Sequence, residues 1–78
     1  MKQTKELSDN LLVSYLDYQG YPIKPKVNGN MISFEIAGDN IDDAIQQFYL
    51  NPKIPILNFC SSYKKIRSMI FNLKGGQR

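Results

Sequence analysis

Beyond position 43 this 78-residue chain carries six bases, Lys53, Lys64, Lys65, Arg67, Lys74 and Arg78, and no acid. Clustered cations bind polyanions through charge and the release of condensed counterions. Lys64, Lys65, Arg67, Lys74 and Arg78 are therefore the candidate phosphate contacts, with nucleic acid as the partner. All seven acids (Glu6, Asp9, Asp17, Glu35, Asp39, Asp42, Asp43) lie earlier, against Lys2, Lys5, Lys24 and Lys26. The first 43 residues thus carry −3 and the remainder +6, an asymmetry that suggests an anionic partner for the basic half. A competing explanation is that cations complement the negative end of a helix dipole. It covers Lys74 well and Lys64 to Arg67 only in part. The total of +3 also lies below that of strongly basic nucleic-acid domains, and no base-reading motif is present.

Enzyme chemistry is not expected. The chain has no histidine, so no Ser-His or Cys-His nucleophile pair can be assembled. The glycines are isolated or terminal and form no phosphate-binding loop. Asp39, Asp42 and Asp43 read as residues of a helix N-terminus, where carboxylates cap amides and complement the dipole, and no calcium-loop spacing surrounds them. No metal, cofactor or small-molecule substrate is expected. The single cysteine, Cys60, falls near an apolar helical stripe and reads as an inert thiol, its nearest cations Lys64 and Arg67 being one and two turns away.

The elements that must position these residues follow from periodicity. A helix is expected from about Asp9 to Gln19, with Leu7, Leu11, Leu12, Tyr15, Leu16 and Gln19 on one face. Ser8 is its expected N-cap, Leu7 packs on Leu12 as a hydrophobic staple, and Gly20 ends it. Next comes a β-hairpin around Asn28-Gly29, a strong two-residue turn signal. The expected register pairs Val27 with Asn30, Pro25 with Ile32, Ile23 with Phe34 and Tyr21 with Ile36, gathering the large apolar residues on one face. It leaves Pro25 at a hydrogen-bonded site with no N–H to give, so a bulge or an irregular first strand is expected near it. Ile41, Ala44, Ile45, Phe48 and Tyr49 form a helical stripe from Ile41 to about Leu50, capped by Asn40 or Asp39 and ended by Asn51-Pro52. A long helix follows from about Pro55 to Leu73, with Ile56, Phe59, Tyr63, Ile66, Ile70 and Leu73 recurring at threes and fours. Met69 and Phe71 flank that stripe, so the last helix is either deeply buried or keeps a second apolar strip for a protein partner, self-association included.

The fold expected is α+β, in the order α-β-β-α-α, with a two-stranded antiparallel hairpin packed against three helices. Residues 1–78 form one domain with 1–6 and 75–78 frayed. So small a chain buries only about 60% of its unfolded surface, and its stability margin is thin. A lone cysteine points to a reducing compartment. Neither an apolar leader nor a run of about 20 apolar residues is visible, so a cytoplasmic protein with no membrane partner is expected.

With the elements laid out, the chain resembles a family of small uncharacterised domains from phage and other bacterial mobile elements. The matching residues are Leu12-Val13-Ser14-Tyr15-Leu16 running into Gly20-Tyr21, then Phe34-Glu35, Phe48-Tyr49, and Tyr63-Lys64-Lys65-Ile66-Arg67-Ser68-Met69-Ile70-Phe71. The resemblance implies a phage or mobile-element setting inside a bacterial cell and carries no activity with it. Two readings stand: a nucleic-acid-binding accessory protein acting through the basic C-terminal helix, or a protein-binding module using Met69 and Phe71 or the first-strand edge.

Overall fold

The computed structural model describes residues 3–74, in the order β1 (Gln3–Leu7), α1 (Asn10–Tyr18), β2 (Ile23–Asn28), β3 (Met31–Gly38), α2 (Ile41–Tyr49) and α3 (Ile56–Leu73). The fold is mixed α+β, but the sheet has three strands rather than two. The segment expected to fray pairs along β3, giving the strand order β1-β3-β2, and the chain reads β-α-β-β-α-α. Both pairings are antiparallel, so β1 runs parallel to β2 with β3 inserted between them. Residues 75–78 lie outside the described residues.

The hairpin forms where Asn-Gly announces it, but its loop is Gly29-Asn30 and its register is displaced. Asn28 pairs with Met31, Val27 with Ile32, Pro25 with Phe34 and Ile23 with Ile36. Only Gly29 of the two loop residues has positive φ (62°), the pattern of a II′ turn rather than I′. The displacement keeps every apolar side chain on its expected face and removes the difficulty at Pro25. Residues flanking a two-residue loop exchange both hydrogen bonds, and bonded and non-bonded pairs then alternate. Counting from Asn28–Met31 makes Pro25–Phe34 a non-bonded pair, so the missing N–H would have pointed to the open edge. No bulge is required.

On one face of the sheet Phe34 and Ile36 are fully buried, with Leu7, Ile23 and Ile32 packed around them. The other face carries Thr4, Glu6, Lys24, Lys26, Ser33 and Glu35 and is open, as in antiparallel sheets covered on one side only. The Cα envelope is 17 Å through its thinnest direction, the depth of one sheet and one helical layer. Within that layer α1 packs against α3 and also against α2, which itself reaches β1 and β3.

This sandwiching explains why α1 is more buried than its stripe suggests. Leu12 to Leu16 are buried without a break, Val13 and Ser14 included, while Leu11 is half exposed. Ser14 is tolerated because its Oγ donates to the Asn10 carbonyl at 2.7 Å. The N-cap is Asp9, not Ser8: its Oδ1 accepts from the amides of Leu11 (3.0 Å) and Leu12 (3.2 Å). Leu7 lies opposite Phe34 in β1 and packs against the core that includes Leu12, two residues before the cap rather than next to it.

α2 is capped from a distance. Asn40 is at its N-terminus with φ 59° and makes no side-chain cap. Instead the Gln3 side-chain carbonyl of β1 accepts from the Ile41 amide at 3.1 Å, and Lys5 pairs with Asp42 at 2.9 Å. Those contacts tie β1 to the helix layer. Asn51, also left-handed (φ 58°), ends α2, its amide bonding back to the Phe48 carbonyl. Pro52 then prevents continuation.

Candidate nucleic-acid interface

α3 turns one side to the core. Ile66 is fully buried, and Phe59, Tyr63, Met69 and Ile70 are half buried. At 3.6 residues per turn, Lys64, Arg67, Phe71 and Lys74 fall within a sector of about 80° that begins beside the Tyr63 edge of that side and turns away from it. All four are exposed, Phe71 by 59%. No ion pair to Lys64, Arg67 or Lys74 occurs among the described residues. Lys53, just before α3, is exposed as well. The structure therefore brings together three of the five cations expected to form the cluster.

One of the other two, Lys65, separates from it. Lys65 turns about 100° away from Lys64. Its Nζ donates to Asp17 Oδ1 of α1 at 2.9 Å, where the Asp17 side chain is only 13% exposed. Lys65 is thus a clasp between α1 and α3. Arg78 lies outside the described residues.

Arg67 is held rather than loose. Its Nη1 donates to the Tyr63 hydroxyl at 3.1 Å, and the guanidinium carbon stands 5.7 Å from the Tyr63 ring centroid. The two residues are one helical turn apart, the spacing at which side chains meet. Arg67 is exposed, and its guanidinium makes no other side-chain hydrogen bond among the described residues. A shallow depression beside them is lined by Arg67, Ser68, Phe71 and Asn72. The sequence carried a signal for this arrangement in the Tyr63–Arg67–Phe71 spacing of four, which the search for apolar stripes passed over.

Met69 and Phe71 do not form one strip. Met69 packs on the core, whereas Phe71 sits about 200° around the helix among the cations. Exposed apolar surface collects elsewhere, around the α2–α3 connection: Tyr49 (67%), Leu50 (71%), Ile56 (66%) and Leu57 (76%). Beside them Tyr15, Phe48, Pro52, Ile54 and Phe59 line a small apolar hollow. Sequence reasoning placed Tyr49 and Ile56 on buried stripes and did not anticipate this patch.

Elsewhere Cys60 is half buried with a free thiol. Among the described residues no helix is long and apolar enough to cross a membrane, and no three potential metal ligands gather. Comparison of the chain with protein-family models, with curated proteins and with solved structures finds no match.

Proposed function

We propose that this chain is a small, non-enzymatic accessory protein that binds nucleic acid through the exposed face of α3. The observation that carries the reading is the grouping of Lys64, Arg67 and Lys74 in one exposed sector with no carboxylate paired to them among the described residues. Lys5 and Lys65 are by contrast engaged by Asp42 and Asp17. Three phosphate contacts of this kind give sequence-independent binding whose logarithmic salt slope is about −2.7 on duplex and −2.1 on single strands. The absence of histidine and of a glycine-rich phosphate loop supports the non-enzymatic part. The setting proposed, a phage or mobile element in a bacterial cytoplasm, rests on the sequence resemblance.

The test is binding of labelled duplex and single strand at low and moderate salt, beside a variant carrying Lys64→Gln, Arg67→Gln and Lys74→Gln. Salt-sensitive binding lost in the variant is expected. No binding by the parent protein at low salt would sink the reading.

A protein-binding module is the second reading, favoured by the exposed group Tyr49, Leu50, Ile56 and Leu57. Docking there would be nearly indifferent to salt. Leu50→Asp together with Leu57→Asp is expected to abolish it and to leave any phosphate binding intact.

A further inference from the structure

We propose that the α3 face takes single-stranded rather than duplex nucleic acid, with Phe71 as the platform on which an unpaired base stacks. This deepens the nucleic-acid reading and rests on it. Phe71 stands four residues after Arg67 and three before Lys74, both of which are its neighbours on the helix surface. A phenyl ring has no donor for a phosphate, so among these cations it adds nothing to backbone contacts. What it offers is a flat apolar face, 59% exposed. Duplex bases already stack on one another and have no free face to present, whereas a single strand can lay a base on the ring.

The surroundings suit that use. Arg67 is fixed by the Tyr63 hydroxyl and ring, so a phosphate donor stands one turn from the platform without further ordering. The depression beside Phe71 includes Asn72, whose amide supplies both a donor and an acceptor for a base edge. From Lys64 to Lys74 is about 15 Å along the helix, room for on the order of three nucleotides, one per unpaired cation. The open face of the sheet is a poorer surface, because Glu6 and Glu35 lie opposite one another across β1 and β3 and it carries no aromatic ring.

The experiment compares a short oligothymidylate with a duplex of equal length, by fluorescence anisotropy at low salt. Parent, Phe71→Ala and the triple Gln variant are run together. The single strand is expected to bind more tightly. Phe71→Ala should weaken it by roughly 5- to 150-fold, with the salt slope and the duplex affinity unchanged. Because Phe71 is exposed, the variant should unfold at the same urea concentration as the parent. The chain has no tryptophan, so Phe71→Trp supplies a single indole that should be quenched by the oligothymidylate and not by the duplex. If Phe71→Ala binds the single strand as well as the parent does, or if duplex binds equally well, the inference falls and the nucleic-acid reading survives. If the parent binds neither, both fall.

Discussion

Lys64 and Lys65 adjoin in the chain, yet one faces solvent and the other donates to Asp17 at 2.9 Å. Lys64→Gln is therefore expected to shallow the salt slope of binding by about 1, and Lys65→Gln to leave it unchanged. An equal change in both slopes would overturn the clasp assignment. For stability the order reverses: Lys65→Ala should cost about 0.5 kcal/mol, since Lys65 is largely solvated and such pairs are weak. A sharper residue-scale effect is expected at Gly38. A Cβ there would stand 2.7 Å from Cδ1 and 2.9 Å from Cε1 of Tyr21, at φ +153°. The ring cannot swing clear easily, because its hydroxyl donates to the Asp39 carbonyl at 2.9 Å. Gly38→Ala should cost about 1–3 kcal/mol in urea unfolding. Gly29→Ala meets open space but is strained by φ +62°, and should cost about 1–2 kcal/mol.

At the scale of elements, β1 is the unexpected one, and backbone pairing holds it more than apolar burial. Leu7 is its one apolar side chain, and Gln3 and Lys5 face α2 with polar groups. Alternation along β3 fixes which amides are used. Since Met31, Ser33 and Glu35 bond toward β2, Phe34, Ile36 and Gly38 bond toward Leu7, Lys5 and Gln3. Hydrogen exchange should find the Lys5 and Leu7 amides protected and those of Thr4 and Glu6 fast. Uniformly fast exchange across the strand would mean that β1 does not persist in solution. The outer strand β2 shows the same logic from the other side. Pro25, with Lys24 and Lys26 beside it, blunts an edge that would otherwise invite pairing with another chain.

Over the whole molecule, the docking of α3 depends on a narrow seam. Ile66 is the only fully buried residue of that helix, and α3 packs mainly along α1. Ile66→Ala should remove about 2–5 kcal/mol, comparable with the total stability of roughly 4–12 kcal/mol for a domain of this size. Ile66→Val should remove about 1 kcal/mol and leave the fold intact. If the alanine variant keeps β3 and α1 amides protected while those of α3 exchange freely, α3 opens as a separate unit. Since Lys64, Arg67 and Lys74, the cations proposed to contact phosphates, lie on α3 or at its C-cap, that variant should lose phosphate binding along with helix docking.

Local chemistry explains what was legible in the sequence: the α+β class, the hairpin, the three helices and the exposed Lys64, Arg67 and Lys74. Periodicities of two and 3.6 residues, turn glycine and helix stops act over a few residues, so they survive without tertiary context. The rest was decided by contacts between distant segments. β1 carries almost no apolar alternation, and its partners are 27 to 35 residues away. Val13 and Ser14 are buried because α1 lies against α3 on one side and α2 on the other, which no local pattern encodes. The turn moved by one residue because a proline strand fits β3 with the missing N–H outward. Which lysine stayed available, and whether Phe71 belonged with Met69 or with the cations, followed from the side of α3 that the core took. The sequence by itself determined the helices, the hairpin and their charges; the tertiary structure added β1 and decided which faces remain exposed, because burial is a property of the packed whole.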